Sequence, residues 1–426
     1  MTIEQLHSIF LKSTGVNTDT RKIQENNLFF ALKGEHFDGN QFAEKACNSG
    51  AIYAVIDNEK FHLKNGKSIL VDDVLDTLQL LANYHRNYLS VQILALTGSN
   101  GKTTTKELIS SVLKQRFNIK ATSGNLNNHI GVPLTLLSMD TSTELGIVEM
   151  GANHVGEIAQ LCKIADPDYG YITNFGKAHL EGFGGVEGVI KGKSELYDYL
   201  KSNNKIVFVN KEDQIQLEKT KEIKQYSFGV KNSKSHVVIQ FIESNPFVKV
   251  KFFDSEITTN LIGIYNFSNI SAALAIGHYF KVPISLLKKG IESYIPENNR
   301  SQLMTKGTNK LVLDAYNANP TSLRAAIETF NVMDSINKVA ILGDMFELGS
   351  ESQKEHQEIV NFVEKLNFKR IYLIGKNFSK TTTNTSLKYE DFNQFSEYIK
   401  QNPIKNAHIL IKGSRGMALE RVLDLI

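Results

Sequence analysis

The chain has 426 residues, 41% of them apolar and 22% charged, with 48 basic against 45 acidic side chains and a formal net charge of +3. That length exceeds one ordinary domain and predicts about two to four, with enough apolar residues for several cores. The near balance of charge, with lysines spread along the chain and no long basic run, excludes an electrostatic footprint for nucleic acid.

The N-terminal stretch, about 85 residues, reads as a small α/β domain. Asn27 to Leu32 and Ala51 to Ile56 are apolar runs with strand character, and a helix between them carries Ala43, Ala46 and Cys47. Two polar clusters stand out here: Thr18-Asp19-Thr20-Arg21 and Gly34-Glu35-His36-Phe37-Asp38-Gly39-Asn40. Their composition is turn chemistry, so surface turns are one reading. The other is a polar ligand site at strand ends, with Arg21 offered to an anion.

The next apolar run, Val91 to Leu96, predicts a short buried strand. From Lys106 to Phe117, Leu108, Ile109, Val112 and Leu113 recur at helical spacing. Between them lies Thr97-Gly98-Ser99-Asn100-Gly101-Lys102-Thr103-Thr104-Thr105. A glycine-rich loop from a strand to a helix N-terminus aims free backbone N–H groups at one point, where the helix dipole adds positive potential. Lys102 can reach the β- and γ-phosphates of a nucleotide, and the Thr103 hydroxyl can bind Mg²⁺. One departure from the usual phosphate-loop pattern is Leu96, which stands where the first glycine is expected.

Strands and helices then alternate. Leu145 to Val148 ends in Glu149, an acidic residue at a strand's carboxyl end, placed to hold Mg²⁺ or to cap or pair locally. A helix is expected from Gly156, and a strand from Tyr169 to Thr173 that ends in Asn174. The glycine-rich loop Gly176 to Gly185 carries His179, a structural histidine or a ligand. From Tyr226 to Leu261 the pattern becomes alternating, as in Val248-Lys249-Val250-Lys251-Phe252, which predicts a small antiparallel sheet with one wet face. From about Arg300, the runs Leu311–Leu313, Val339–Leu342, Ile371–Ile374 and Ile409–Ile411 predict a doubly wound, Rossmann-like sheet. Asp314, Gly343-Asp344, Gly375-Lys376 and Lys412-Gly413-Ser414-Arg415 fall at its strand ends, where ligands of such sheets sit. No Gly-x-Gly-x-x-Gly follows the first strand, so a dinucleotide is not expected.

The two cysteines, Cys47 and Cys162, lie far apart and read as buried thiols of a reducing compartment. Met1-Thr2-Ile3-Glu4 lacks the layout of a signal peptide, and no apolar run approaches the ~20 residues of a membrane span. A soluble, cytoplasmic protein is expected.

Taken together, the strings resemble those of the Mur ligases, ATP-dependent amide-forming enzymes of peptidoglycan synthesis, over essentially the whole chain. The phosphate loop is similar to that family's variant, which accounts for the missing glycine. Gly124-Asn125-x-Asn127-Asn128-x-Ile130-Gly131, Glu149-x-Gly151, Asn174, His179, Asn266-x-x-Asn269 and Arg300 also fit. Asp314-Ala315-Tyr316-Asn317-Ala318-Asn319-Pro320, Gly343-Asp344-Met345-x-Glu347-Leu348-Gly349 and Lys412-Gly413-Ser414-Arg415-Gly416 are similar to the strings of members that add D-alanyl-D-alanine. The Asp-Asn-Pro-Arg string of diaminopimelate- or lysine-adding sisters is absent. Tyr265 stands where the family commonly has His.

The resemblance implies three α/β domains: 1–88 for the UDP-substrate, a central P-loop mononucleotide-binding domain 89–297, and a C-terminal Rossmann-like domain 298–426. It implies ATP-dependent joining of D-alanyl-D-alanine to UDP-N-acetylmuramoyl-tripeptide through an acyl phosphate. The implied ATP residues are Gly98, Ser99, Asn100, Gly101, Lys102, Thr103 and Thr104, with Asn266, Asn269, Arg300 and Asp314. Thr18, Asp19, Thr20, Arg21, Gly34, Asp38, Gly39, Asn125 and Asn128 would serve the UDP-substrate, and Tyr316, Asn317, Asn319 and Asp344 the D-alanyl-D-alanine. Catalysis would rest on Lys102, Glu149, His179 and Lys193, with two Mg²⁺ ions near Thr103, Glu149 and His179. Lys193 matches a string in which sister enzymes carry a carbamylated lysine; Lys191 is the neighbouring alternative, and a solvated lysine or a direct phosphate contact is the plainer reading. A monomer is expected. A folate-polyglutamate-type ligase lacks the uridine-nucleotide domain expected here, and a non-enzymatic nucleotide switch would not need Glu149, His179 and the third domain together.

Overall fold

The computed structural model describes residues 1–230, 234–297, 299–335 and 337–426. Three sheets organise the chain. The first has four parallel strands in the order Val16–Asn17, Leu28–Phe30, Tyr53–Ile56 and Ser68–Leu70. The second cluster of polar residues folds as a two-stranded hairpin, Lys33–Gly34 against Phe37–Asp38.

The central sheet has nine strands. Gln92–Thr97 lies inside it between Tyr169–Ile172 and Leu145–Glu149, all parallel. Ile93, Leu94, Ala95 and Leu96 are fully buried, as expected of a strand covered on both faces. Tyr226 lies on Lys224–Gly229, which still pairs parallel with Ile206–Asn210. The antiparallel strands follow it: Val237–Ser244, Phe247–Phe252 and Ser255–Ile262 extend the same sheet from its edge.

The last sheet has six strands, in the order Gln302–Lys306, Asn309–Asp314, His408–Lys412, Lys338–Gly343, Arg370–Ile374 and Leu387–Tyr389. Only the first pair is antiparallel. Register places Asp314 directly beside Lys412. Asn298, where the C-terminal domain was expected to begin, lies outside the described residues.

The helix Val74–Leu89 fastens the first sheet to the second. Its Arg86 donates to the carbonyl of Asp166 at 2.7 Å and to the Asp168 carboxylate at 2.8 Å. That carboxylate also accepts the N–H of Ile93, at the start of the phosphate-loop strand. No helix among the described residues is long and apolar enough to cross a membrane.

Candidate active site

The loop after Gln92–Thr97 is held open by its neighbours rather than by itself. Gly98 has φ +147° and Gly101 φ +78°, both in the region that favours glycine. A Cβ on Gly98 would sit 1.9 Å from Thr173 Oγ1, and one on Gly101 2.7 Å from Asn269 Oδ1. The strand end at 173–174 braces the loop: Ser99 N–H donates to the Asn174 carbonyl, Asn100 N–H to Asn174 Oδ1, and Thr173 Oγ1 to the Asn100 carbonyl. The helix Lys102–Leu113, with Gly101 as its N-cap, starts four residues before the expected Lys106, so Lys102 and Thr103 sit on its opening turn. Lys102 Nζ folds back and donates to the Gly98 carbonyl at 2.7 Å. Burial lowers its pKa; Glu149 opposes that shift and Arg300 adds to it.

Glu149 ends its strand almost fully buried. One carboxylate oxygen, Oε1, accepts from Thr103 Oγ1 at 3.2 Å and from Asn127 Nδ2 at 2.9 Å. The other, Oε2, is buried with no partner. Asn269 accepts from Thr105 Oγ1 and donates to Asn266 Oδ1, so these two asparagines brace the loop from below while lining the same cavity.

That cavity, about 630 Å³, is shared between the second and third sheets. Ser99 to Thr104, Asn125, Asn128, Glu149, His179, Asn266 and Asn269 line one side. Arg300, Asp314, Tyr316, Asn317 and Asn319 line the other. The Arg300 guanidinium lies 3.6 Å over the Tyr316 ring. Asp314 accepts from Lys412 Nζ at 2.6 Å, and Lys412 also reaches the Asn317 carbonyl. Tyr265 hydrogen-bonds Ser301 at 2.7 Å, which ties the helix Asn266–Tyr279 to the third domain. His179, in left-handed backbone conformation, contacts Glu347 of the third domain through Nδ1. The His179 ring beside it holds the Glu347 carboxyl below its usual pKa. Lys177 bridges to Glu355 at 2.5 Å.

Several expected residues lie elsewhere. Asp344 is buried, and its carboxylate accepts the N–H groups of Asn377 and Phe378, capping the helix Lys376–Ser379. It does not line the cavity. Thr18, Asp19, Thr20, Arg21, Gly34, Asp38 and Gly39 are not on its wall either. Asp19 caps the turn Thr20–Lys22 and pairs with Arg21, and Asp38 caps the turn Gly39–Phe42. Gly98 supports the loop without lining the cavity.

Lys193 lies on the helix Val186–Ser202, which starts four residues before the expected Ile190. The side chain is fully buried, while Lys191 is exposed. Lys193 Nζ has no hydrogen-bond partner among the described residues and lies 5.2 Å over the Phe183 ring. Burial drives its pKa well below the usual range, with Lys102 pushing the same way. Lys412 and Asn127 were given no role from sequence. Both become evident only once Asp314 is paired with Lys412 and the loop at Asn127 is folded against Glu149.

Three family models match the chain in order: "Mur ligase family, catalytic domain" over residues 12–86, "Mur ligase middle domain" over 96–277, and "Mur ligase, glutamate ligase domain" over 299–415. The UDP-N-acetylmuramoyl-tripeptide–D-alanyl-D-alanine ligase of Bacillus subtilis is 35% identical, the match covering 97% of this chain and 93% of that one. The ligase of the same name from Escherichia coli is 32% identical, over 96% and 92%. Among solved structures, MurF from Acinetobacter baumannii superposes with a TM-score of 0.87 at 28% identity, covering 100% of this chain and 98% of that one. MurF ligase from Thermotoga maritima in complex with ADP gives 0.84 at 28% identity, over 98% and 97%. The braced phosphate loop, the cavity shared with a third domain and these full-length likenesses agree: the chain belongs to the Mur ligase family.

Proposed function

We infer that this chain joins D-alanyl-D-alanine to UDP-N-acetylmuramoyl-tripeptide at the expense of ATP, giving the pentapeptide precursor of peptidoglycan. The observation that carries this reading is the single cavity into which Lys102 and Arg300 both reach from separate domains. A carboxylate is a poor acyl donor, because its oxygen is a poor leaving group. Transfer of the γ-phosphoryl group to it gives an acyl phosphate, and the amine of the dipeptide then displaces phosphate through a tetrahedral intermediate. Phosphoryl transfer needs positioning and charge neutralisation more than covalent help. Lys102 and the loop N–H groups supply both for the β- and γ-phosphates. Arg300, stacked on Tyr316, and Asp314, tied to Lys412, meet the nucleotide from the third domain. Asn266 and Asn269 approach the adenine side. Tyr316 and Asn317 face the dipeptide.

The donor set fits Mg²⁺. Glu149 Oε2 is buried without a partner beside Thr103 Oγ1, and no cluster of three or more acidic, His or Cys ligands exists among the described residues. A hard cation that takes one carboxylate, a hydroxyl, phosphates and water suits such a site. Two ions are proposed, the second near His179; bound there, they would neutralise the charge that develops on the phosphates. The buried Lys193 amine, unpaired among the described residues, supports its carbamylation: the neutral amine would add CO₂ and lose a proton, giving an oxygen ligand. Asn125 and Asn128 extend from the cavity toward the acceptor. The N-terminal clusters, with Arg21 as their exposed cation, would bind the uridine diphosphate end. Free buried cysteines and ATP use favour the cytoplasm, and one complete cavity within one chain favours a monomer. Phosphate release from ATP with UDP-N-acetylmuramoyl-tripeptide, measured with and without D-alanyl-D-alanine, tests the reading. Release that ignores the dipeptide would overturn it.

A further inference from the structure

Asn319 begins the helix Pro320–Val332. Its Oδ1 accepts the backbone N–H of Ser322 at 2.9 Å. A backbone N–H can only donate, so this bond fixes which end of the Asn319 amide is oxygen. Nδ2 is then free to donate, and it does so to Asn100 Oδ1 in the phosphate loop, at 2.7 Å. The same logic passes one residue further. Because Asn319 gives a donor, the Asn100 atom that receives it is the carbonyl oxygen, and Asn100 Nδ2 becomes the remaining donor. That Nδ2 is buried with no partner among the described residues. Gly176 lies against it, so close that a Cβ there would come within 2.8 Å. The Asn100 main chain cannot adjust freely, since its N–H and carbonyl are both held by residues 173–174.

We propose that Asn319 is a positioning residue for ATP. It grips the Asn100 amide so that Nδ2 presents an N–H to a phosphate oxygen, and so completes the phosphate loop only when the third domain is docked. This rests on the ligase reading for its nucleotide, and it departs from a dipeptide contact for Asn319, whose amide is engaged at both ends. A buried donor left unpaired by the protein is the state expected of a group whose acceptor is the ligand.

The test is Asn319→Asp. Aspartate caps a helix as well as asparagine does, so the Ser322 bond and the fold are kept while the donor to Asn100 is lost. Losing an oriented hydrogen bond to a charged group corresponds to about 10- to 100-fold. We expect kcat/KM for ATP to fall by about that factor in N319D, with KM for D-alanyl-D-alanine unchanged and the melting temperature retained. Asn100→Ala should fall similarly, and the N100A/N319D double variant should be no worse than either single one. Calorimetry with a non-hydrolysable ATP analogue gives the same comparison without turnover, so failure of the ligase reading would not mask the result. The proposal is overturned if N319D binds the analogue as the wild type does, if it raises only the dipeptide KM, or if the two single effects multiply in the double variant.

Discussion

Lys193→Met should make the protein more stable and nearly inactive at once. The Lys193 side chain is fully buried, and its amine meets no acceptor. A buried polar group without a partner costs about 1–3 kcal/mol. The Phe183 ring, 5.2 Å from Nζ, returns part of that when the amine is charged, about 0.5–2 kcal/mol. Methionine keeps the length of the stem and removes the amine, so a net gain of about 1 kcal/mol is expected. In a domain of this size that is a rise of about 2–4 °C in melting temperature. The pH dependence supplies a second signature. The folded-state pKa of Lys193 is depressed by burial and by Lys102. The unfolded chain therefore holds the proton more tightly, and the penalty is absent above the unfolded value of about 10.4. It grows as pH falls from there toward the folded value. Wild type should thus gain on Lys193→Met as pH rises from neutral toward 10. Thermal melts in carbon-dioxide-free buffer with chelator, paired with the phosphate-release assay, read both effects. A lower melting temperature for Lys193→Met would mean that the amine has a stabilising partner. Retained ligation would mean that it has no part in the reaction. In Lys193→Ala, partial rescue by a small carboxylic acid is expected, because the acid can occupy the space of a carbamate.

Lys102→Ala should abolish phosphate release while binding of the UDP-substrate, followed by calorimetry, persists. Gly101→Ala forces an L side chain to φ +78° and pushes a methyl group against Asn269 Oδ1; it should cost about 1–2 kcal/mol and weaken nucleotide binding in a fluorescent-analogue titration. His7 Nε2 and His85 Nδ1 lie 3.0 Å apart, and burial lowers both pKa values. Their stabilising contribution is present above the unfolded value of about 6.5 and is lost as pH falls through the folded ones, so the melting temperature should drop on acidification below about pH 6.5, and less so in His7→Phe. Small-angle scattering should show compaction when ATP analogue and acceptor bind together. The pivot is expected at Ile295–Arg300, a stretch that includes Asn298, outside the described residues.

What was legible in the sequence is what is local. A strand, a glycine-rich turn and a helix start are consecutive, so the loop from Gln92–Thr97 to Lys102–Leu113 could be read from the sequence. Glu149 could be read because an acidic residue at a strand's carboxyl end needs no knowledge of partners. Pairings across the fold were not legible. Asp314 and Lys412 meet only because their strands are neighbours in a parallel sheet. Lys193 and Lys191 differ by two residues in sequence, yet helix phase buries one and exposes the other. Asp344 sits in a string that the sequence marks as a candidate site, but its carboxylate serves a helix N-terminus. A motif records everything a site needs, including its scaffolding.

The charges around the cavity bear on how a nucleotide and a metal ion would bind there. Lys412 is paired with Asp314, His179 with Glu347, and His154 with Glu157. Among the described residues of the cavity wall, that leaves Lys102 and Arg300 with Glu149. Lys102 meanwhile holds the loop's own Gly98 carbonyl, the nearest acceptor at hand. A triphosphate offers that lysine a full anion in place of a carbonyl dipole, a charge-assisted bond about twice as strong. The surplus of positive charge also penalises any further cation, so Mg²⁺ should bind with the phosphates and weakly before them. A carbamate on Lys193 would add an anion where burial and Lys102 now disfavour the charged amine.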